Sequence, residues 1–411
     1  MQTTTPPPAS LRPLFALPVI VAALGYFVDV YDLLLFNIVR VPSLKDLGLS
    51  DADTSLIGGR ILNYQQAGLL MGGILWGILG DKRGRLSVLF GSIITYSLAN
   101  IACGFVRDPE LYAILRLVAG LGLAGELGAG ITLVSEILPK ELRGYGSSLV
   151  ASVGLLGAVV AYFTVTLFDW RTTYFIGGGL GLALLVLRVS VLESTMFRRV
   201  QQTGIARGNF WALFQGGGRL GRYLRCMGLA VPTYLVIGIL ATFGNEFGQA
   251  LGIPDAIQPG RCVMFTYVGT VVGDLLSGLF SQWFRSRRKA IGLMMGLTFV
   301  FVGVYLFGGI RSADVFYVVC MGMGFGIGYI AMFLTVTAES FGTNLRATAT
   351  TSVANNVRAT TLLTIPAFQA MKPAIGVLGA GAVVAAVCFL IGFWALATIE
   401  ETFGKELDYT E

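Results

Sequence analysis

Tyr26, Asp29 and Asp32 follow one another at three-residue spacing in an otherwise apolar run. Arg116 and Glu126 interrupt a second such run, Asp274 a third, and Asn355, Asn356 and Arg358 a fourth. A carboxylate removed from water is pushed toward its neutral form, and a neighbouring cation pulls it back, so an acid near an arginine can load and release a proton. Arginine also offers a planar, permanently charged fork that fits a carboxylate. The sequence has no histidine, which excludes a histidine relay and a histidine-ligated metal. Any proton that moves must ride on Asp, Glu, Tyr or Cys. The five cysteines (Cys103, Cys226, Cys262, Cys320, Cys388) stand singly in apolar segments with no CxxC spacing, the pattern of packing residues. No HExxH, GxSxG or metal cluster is present, so an enzyme lacks its reactive groups and no cofactor is expected.

These groups are carried by unusual elements. The chain of 411 residues is 55% hydrophobic and 13% charged, with mean hydropathy +0.75 and 55 glycines. Soluble domains carry about 25% charged residues. Apolar blocks of roughly 20 residues match the length of a membrane-crossing helix, and they lack the alternation a barrel needs. Hydrocarbon cannot hydrogen-bond a bare backbone, which leaves helices. The expected fold is an all-α membrane protein of twelve transmembrane helices, near 14–40, 56–80, 86–105, 110–134, 147–168, 172–191, 224–244, 262–284, 289–309, 313–337, 348–370 and 374–398. The first is read as a retained span, because its apolar run has acids and no small-residue cleavage site.

Basic residues set the orientation. Lys82, Arg83 and Arg85 follow the second span, and Arg285, Arg287, Arg288 and Lys289 follow the eighth. Arg198, Arg199, Arg207, Arg219 and Arg222 separate the sixth from the seventh. By the positive-inside rule these loops and both termini are cytoplasmic. Such loops account for the formal charge of +6, and no nucleic-acid module is visible. The stretch 193–223 divides residues 1–192, an N-terminal six-helix bundle, from residues 224–411, a C-terminal bundle with a short tail. The bundles repeat each other. Gly68 and Gly77 precede Asp81-Lys82-Arg83-Gly84-Arg85, while Gly269 and Gly278 precede Gln282 and the second basic cluster. Glu136 and Arg143 have the same separation as Glu339 and Arg346. Two parallel six-helix repeats around a midplane site describe a secondary transporter.

Gly77-Ile-Leu-Gly-Asp81-Lys82-Arg83-Gly84-Arg85 resembles the signature between the second and third helices of the major facilitator superfamily. Arg116 to Glu126, running on to Glu136 and Arg143, is similar to the fourth helix of its metabolite–proton symporters and sugar porters. Leu192-Glu193-Ser194 through Arg199 resembles the segment after their sixth helix, with Thr195 where they have proline. Glu401-Thr402-Phe403-Gly404-Lys405-Glu406-Leu407 resembles the element after their last helix. Helix 147–168 lacks the glycine–proline pattern of drug–proton antiporters, and no sugar-ligand set can be matched. The resemblance implies two pseudo-symmetric bundles that rock about a central site. It also implies a cytoplasmic latch drawn from Gly77, Asp81, Arg85, Glu136, Arg143, Glu339 and Arg346.

Each ionisable group at mid-bilayer costs about 2.5–3.5 kcal/mol on insertion scales and asks for a reason. At about 1.5 Å per residue, Asp32, past the middle of the first span, meets the level of Arg116, two turns into the fourth. Asp32 is therefore the expected proton acceptor with Arg116 as partner. Asp29, on the same face, is the alternative, and a static ion pair is the plain structural reading. The resemblance likewise implies that a first-helix Asp and a fourth-helix Arg control proton coupling. Glu126 is a second relay acid or a packing bridge. Arg358 and Asp274 both fall near mid-depth, so Arg358 is the expected anion clamp, aided by Asn355 one turn earlier, with Asp274 as counter-ion or fixed partner. Tyr26, Asn63, Tyr64, Gln66 and Tyr234 are expected to complete the pocket, and Arg60 to reach toward the interface. The function expected is proton-coupled import of a small organic anion or zwitterion by a monomer in a bacterial-type inner membrane. An exporter or uniporter of a neutral or cationic solute, and a non-transporting sensor, stay open.

Overall fold

The computed structural model describes residues 12–83, 85–124, 138, 143–192, 217–342 and 345–405. Helix is the only regular structure among them. In chain order these are α1 (Leu17–Asp46), α2 (Asp51–Arg83), α3 (Arg85–Cys103), α4 (Pro109–Leu123), α5 (Arg143–Leu167), α6 (Trp170–Leu192) and α7 (Gly217–Leu235). A π-helical turn, Val236–Ala241, extends α7 and leads to the short α8 (Gly244–Ala250). Then come α9 (Pro259–Phe284), α10 (Arg287–Phe307), α11 (Ala313–Ile327), α12 (Ile330–Ser340), α13 (Arg346–Arg358) and α14 (Thr361–Thr398).

Local chemistry explains the ends. Asp108 accepts from Leu111 N at 2.9 Å with Pro109 at the first helical position, and Ser286 accepts from Lys289 N at 3.1 Å. Both are side-chain caps on amides that no turn of helix can satisfy. Among the described residues eight helical stretches are long and apolar enough to cross a membrane, one of them 51 residues long (348–398). Large apolar side chains such as Phe105, Leu167, Trp283, Phe307, Leu363 and Leu390 stand exposed on the outside. In water so much exposed apolar surface would associate; against lipid it is the solvent-matched face. The chain is an all-α integral membrane protein.

Two breaks depart from the expected spans. The stretch 313–337 is two helices parted at Gly328 and Tyr329, and 348–370 is divided between α13 and α14 at Ala359 and Thr360, while the kink of α14 at Gly376, whose φ is +72°, lies beside the expected boundary between 348–370 and 374–398. Hydropathy stays high through Gly328 and Tyr329, so an apolar count has no means of seeing that break. The stretch expected to reach residue 134 is described only to Leu123 in α4.

Glycine sets the packing. A Cβ on Gly68 would strike the Leu117 carbonyl, and one on Gly120 would strike that of Gln65, so α2 and α4 touch backbone to backbone. Gly269 meets the Met321 carbonyl and Gly324 that of Thr266 in the same manner, between α9 and α11. Small residues allow such close approach where lipid offers no hydrophobic drive to association. The same contact thus occurs once before the 193–216 stretch and once after it. The two sides also meet: α1 and α5 pack on α9, and α2 packs on α13 and α14.

Gly68→Leu and Gly269→Leu should each destabilise the folded protein by about 1–3 kcal/mol, the range for overpacking. Thermal unfolding in detergent reads this as a lowered melting temperature; unchanged melting in both variants would mean these backbones are not in contact.

Candidate functional site

Arg116, wholly buried on α4, organises one side of the site. Its Nη1 donates to Asn100 Oδ1 at 2.7 Å, its Nε to Gln65 Oε1 at 3.3 Å, and its Nη2 to the backbone carbonyl of Asp32 at 3.2 Å. The Tyr174 ring lies 5.5 Å from its guanidinium carbon. Gln65 in turn donates to the Leu33 carbonyl at 2.8 Å. One guanidinium therefore ties α1, α2, α3 and α6 to α4. Asp32 and Arg116 share a level, as the depth arithmetic expects, and they meet through the Asp32 backbone. The Asp32 carboxylate itself faces α6, where a Cβ on Gly177 would collide with it.

Asp29 points elsewhere. With Tyr26, Val30 and Leu33 of α1 it lines a small recess shared with Leu123 of α4 and Arg358 of α13. Three residues turn a helix by about 300°, leaving 60° between the two acids. That offset is enough to send Asp32 toward α6 and Asp29 toward Arg358, although both share one broad face.

Arg358 is 6% exposed and closes the last turn of α13. Its Nε donates to Tyr234 Oη at 3.0 Å, and Tyr26 and Tyr267 stand within its electrostatic reach. Its Nη1 is buried without a hydrogen-bond partner among the described residues, as are Asn355 Oδ1, Asn63 Oδ1 and Gln66 Oε1. Buried donors and acceptors are normally satisfied. Of these, Arg358 lines the recess, and a donor left open there fits a polar ligand. Tyr64 is half-buried against the core.

Asp274 does something different from the counter-ion role expected of it. No ion pair joins it to Arg358 among the described residues; its Oδ1 accepts from Ala331 N at 2.9 Å. The break at Gly328 and Tyr329 opens the start of α12, whose first amides have no helical partner. A buried carboxylate from α9 fills that need, held close because Gly328 lies against Gly273 and Asp274 with no room for a Cβ. The sequence offers no sign of the break, so it offers none of the cap.

Sequence reasoning passed over Gln65 and Asn100 because neutral amides in apolar helices seem ordinary one at a time, while their guanidinium partner is distant in sequence. It also missed the buried Arg40, with Glu246 and Lys372 beside it. Each sits near a span end, where charge looks like solvent exposure. Arg60 does pair with Glu110 in an exposed position.

Of the expected latch, Glu339 grips Arg287 with both oxygens (3.0 and 3.4 Å) and accepts from Thr402 Oγ1 at 2.7 Å. Arg346 Nε donates to the Ala338 carbonyl at 2.8 Å. Glu401 accepts from Ser286 Oγ and from the amides of Arg287, Phe403 and Arg288. Its burial raises the carboxyl, but these hydrogen bonds outweigh it and hold the group below its ordinary range. Gly77 is within α2. Asp81, Arg85 and Arg143 are helical, with side chains outside the described residues, where Glu126 and Glu136 also lie.

The profile of the Major Facilitator Superfamily matches residues 22–360. The niacin transporter NiaP of Acinetobacter baylyi is 33% identical over 178 residues, 42% of this chain and 40% of that protein. The 3-(3-hydroxy-phenyl)propionate transporter of Escherichia coli is 27% identical over 266 residues, 61% of this chain and 64% of that protein. The chain thus matches less than two thirds of the length of either relative. In fold it is similar to the crystal structure of the D-xylose-proton symporter, at TM-score 0.69 and 16% identity, over 95% of this chain and 99% of that one.

If Asp274 acts as the cap of α12, Asp274→Asn keeps an acceptor and should melt close to the parent. Asp274→Ala should lose about 0.5–2 kcal/mol, the usual worth of a capping side chain. Equal melting of the Ala variant and the parent would remove the cap.

Proposed function

This chain belongs to the Major Facilitator Superfamily, a family of secondary transporters and not of enzymes, and we propose that it is a proton-coupled symporter importing a small aromatic carboxylate. On this reading residues 1–192 and 224–411 are six-helix bundles of a twelve-helix transporter, joined by the linker 193–223. They rock about the recess between α1, α4 and α13 in the inner membrane, with both termini cytoplasmic and the protein a monomer. Glu339, Arg346, Gly77, Asp81, Arg85, Glu136 and Arg143 serve the cytoplasmic latch.

The observation that carries the reading is Arg358, a buried guanidinium with an unfilled Nη1 in the same recess as Asp29. A carboxylate is the ligand such a fork takes best. Tyr234 bonds to Arg358 and Tyr26 lines the same recess, so aromatic side chains stand where an aromatic body would lie. Niacin and 3-(3-hydroxyphenyl)propionate, named in the two relatives, each combine a carboxyl group with an aromatic ring. Asn355, Asn63 and Gln66 supply open polar atoms for ring substituents, and Tyr64 stands beside them in α2.

Coupling follows from charge. With Asp29 ionised, the recess already holds an anion for Arg358, and a second carboxylate would be repelled. Protonation of Asp29 lets the substrate carboxylate take its place. Sharing the recess with Arg358 favours Asp29 over Asp32 as the proton acceptor. Asp32 and Arg116 then support the site, with Arg116 fixing α1 against the helices around it, and Glu126 remains a candidate relay acid. Asp274 shapes the pocket by holding α12.

In proteoliposomes under an inward proton gradient, [14C]nicotinate uptake should fall at least about tenfold in Arg358→Ala and less in Arg358→Lys, reflecting loss of a charge-assisted contact. Equal apparent affinity in all three proteins removes the clamp. Asp29→Asn should abolish proton-driven accumulation while sparing nicotinate exchange, and Asp32→Asn should keep some accumulation. The reverse order would return the proton to Asp32. A thermal-shift response to amines in place of carboxylates would favour a cationic solute and reassign the two acids as its ligands.

A further inference from the structure

The last turn of α14 is held from two flanks by arginines. Arg225 Nη1, from α7, donates to the Thr398 carbonyl at 3.2 Å, and Arg288 Nη2, from α10, to the Ala397 carbonyl at 3.0 Å. The final carbonyls of a helix have no partner within it, so each guanidinium caps the end. That role uses one nitrogen of each. Among the described residues no carboxylate pairs with either side chain. The flanks are distinct: Gly228 of α7 lies against Ala395 of α14, and Gly292 of α10 against Leu396.

Away from both flanks, α14 turns an apolar face outward. Val383, Val387, Leu390 and Trp394 are 45, 51, 71 and 55% exposed. Steps of four, three and four residues keep them on one stripe of the helix. The stripe ends one turn below Ala397 and Thr398, where the two guanidiniums are. Charge at this end is unbalanced toward cations. Arg285 and Lys289 stand exposed beside Arg288, and Arg287 is taken by Glu339. Of the nearby acids, Glu401 spends its oxygens on Ser286 Oγ and on the amides of Arg287, Arg288 and Phe403, which leaves the exposed Glu400. An apolar stripe running into paired cations has the polarity of an anionic lipid, read from tail to head.

We propose that Arg225 and Arg288 clamp the phosphodiester of an anionic phospholipid of the phosphatidylglycerol type, whose acyl chains lie along that stripe. Phosphate oxygens accept from the nitrogens that the helix carbonyls leave open, and a guanidinium fork suits such oxygens. Trp394 stands at the depth where head and tail meet, the level at which indole rings are enriched. A zwitterionic head would bring its ammonium beside two guanidiniums, whereas a head charged only at phosphate would not. Basic pockets between helix ends attract anionic heads for the same reason. The lipid lies in the leaflet at this end of α14, the cytoplasmic one on the proposed orientation, and joins α7 and α10 across the helix between them.

Trp394 supplies the readout. The full-length protein is reconstituted in phosphatidylcholine vesicles that carry either phosphatidylglycerol or phosphatidylcholine brominated on the acyl chains. Bromine quenches tryptophan on contact, so the difference between the parent and Trp394→Phe reports the lipid at this face. Brominated phosphatidylglycerol should quench that signal more than brominated phosphatidylcholine at equal fraction. The preference should fall about fivefold for each guanidinium removed in Arg225→Gln and Arg288→Gln, and it should shrink at high salt. Because the quencher rides on the acyl chain, a free phosphate at the arginines gives no preference. Equal quenching of the parent by the two lipids therefore overturns the site, with both arginines in place. A preference that survives undiminished in R225Q/R288Q overturns the clamp. If that variant does not fold, R225K/R288K keeps the charge and removes the forks; an undiminished preference there, or failure of both variants to fold, makes the arginines structural caps and rejects the clamp.

Discussion

A guanidinium inside a membrane protein has to find its hydrogen-bond partners on neighbouring helices, because neither water nor lipid will supply them. Arg116 meets that demand with Asn100, Gln65 and the carbonyl of Asp32, and so fixes three other helices around α4. Removing a partner from such a group leaves a buried charge uncompensated, which is far costlier than the pair is worth. The positions of Asp29 and Asp32 follow from it. With the Asp32 backbone pinned to Arg116, the turn of α1 carries Asp29 round to the recess and Arg358.

The same requirement recurs at the breaks. Opening a helix inside hydrocarbon frees amides, and the break at Gly328 and Tyr329 is tolerated because Asp274 reaches Ala331 N from α9. That reach depends on Gly273 and Gly328 lying against each other. Glycine close contact, irregular backbone and buried carboxylate are thus one construction. They place a polar discontinuity at mid-helix without exposing it to lipid.

Arg358 and Arg40 show how the two charged junctions differ. Both are buried arginines with donors left open among the described residues. Arg358 opens onto a recess lined by Tyr26, Asp29 and apolar side chains, whereas Arg40 faces a carboxylate that already has a lysine.

Much was legible from residue types alone. The low charge, the apolar blocks and the repeated glycine and basic marks dictated a helical membrane protein, because hydrocarbon admits so few backbone solutions. The depth arithmetic brought Asp32 to the level of Arg116, since rise per residue is a property of any helix. Buried acids and arginines were conspicuous for the same reason, as each is costly wherever lipid surrounds it. Tertiary structure alone decided which atoms meet. It set Asp29 and not Asp32 in the recess, made Asp274 a cap rather than a counter-ion, and joined Arg40, Glu246 and Lys372 across the molecule. Those outcomes depend on helix rotation, on a break invisible to hydropathy and on contacts between residues hundreds of positions apart. Rotation and long-range contact are set by packing, and packing is not written in any local window of the chain.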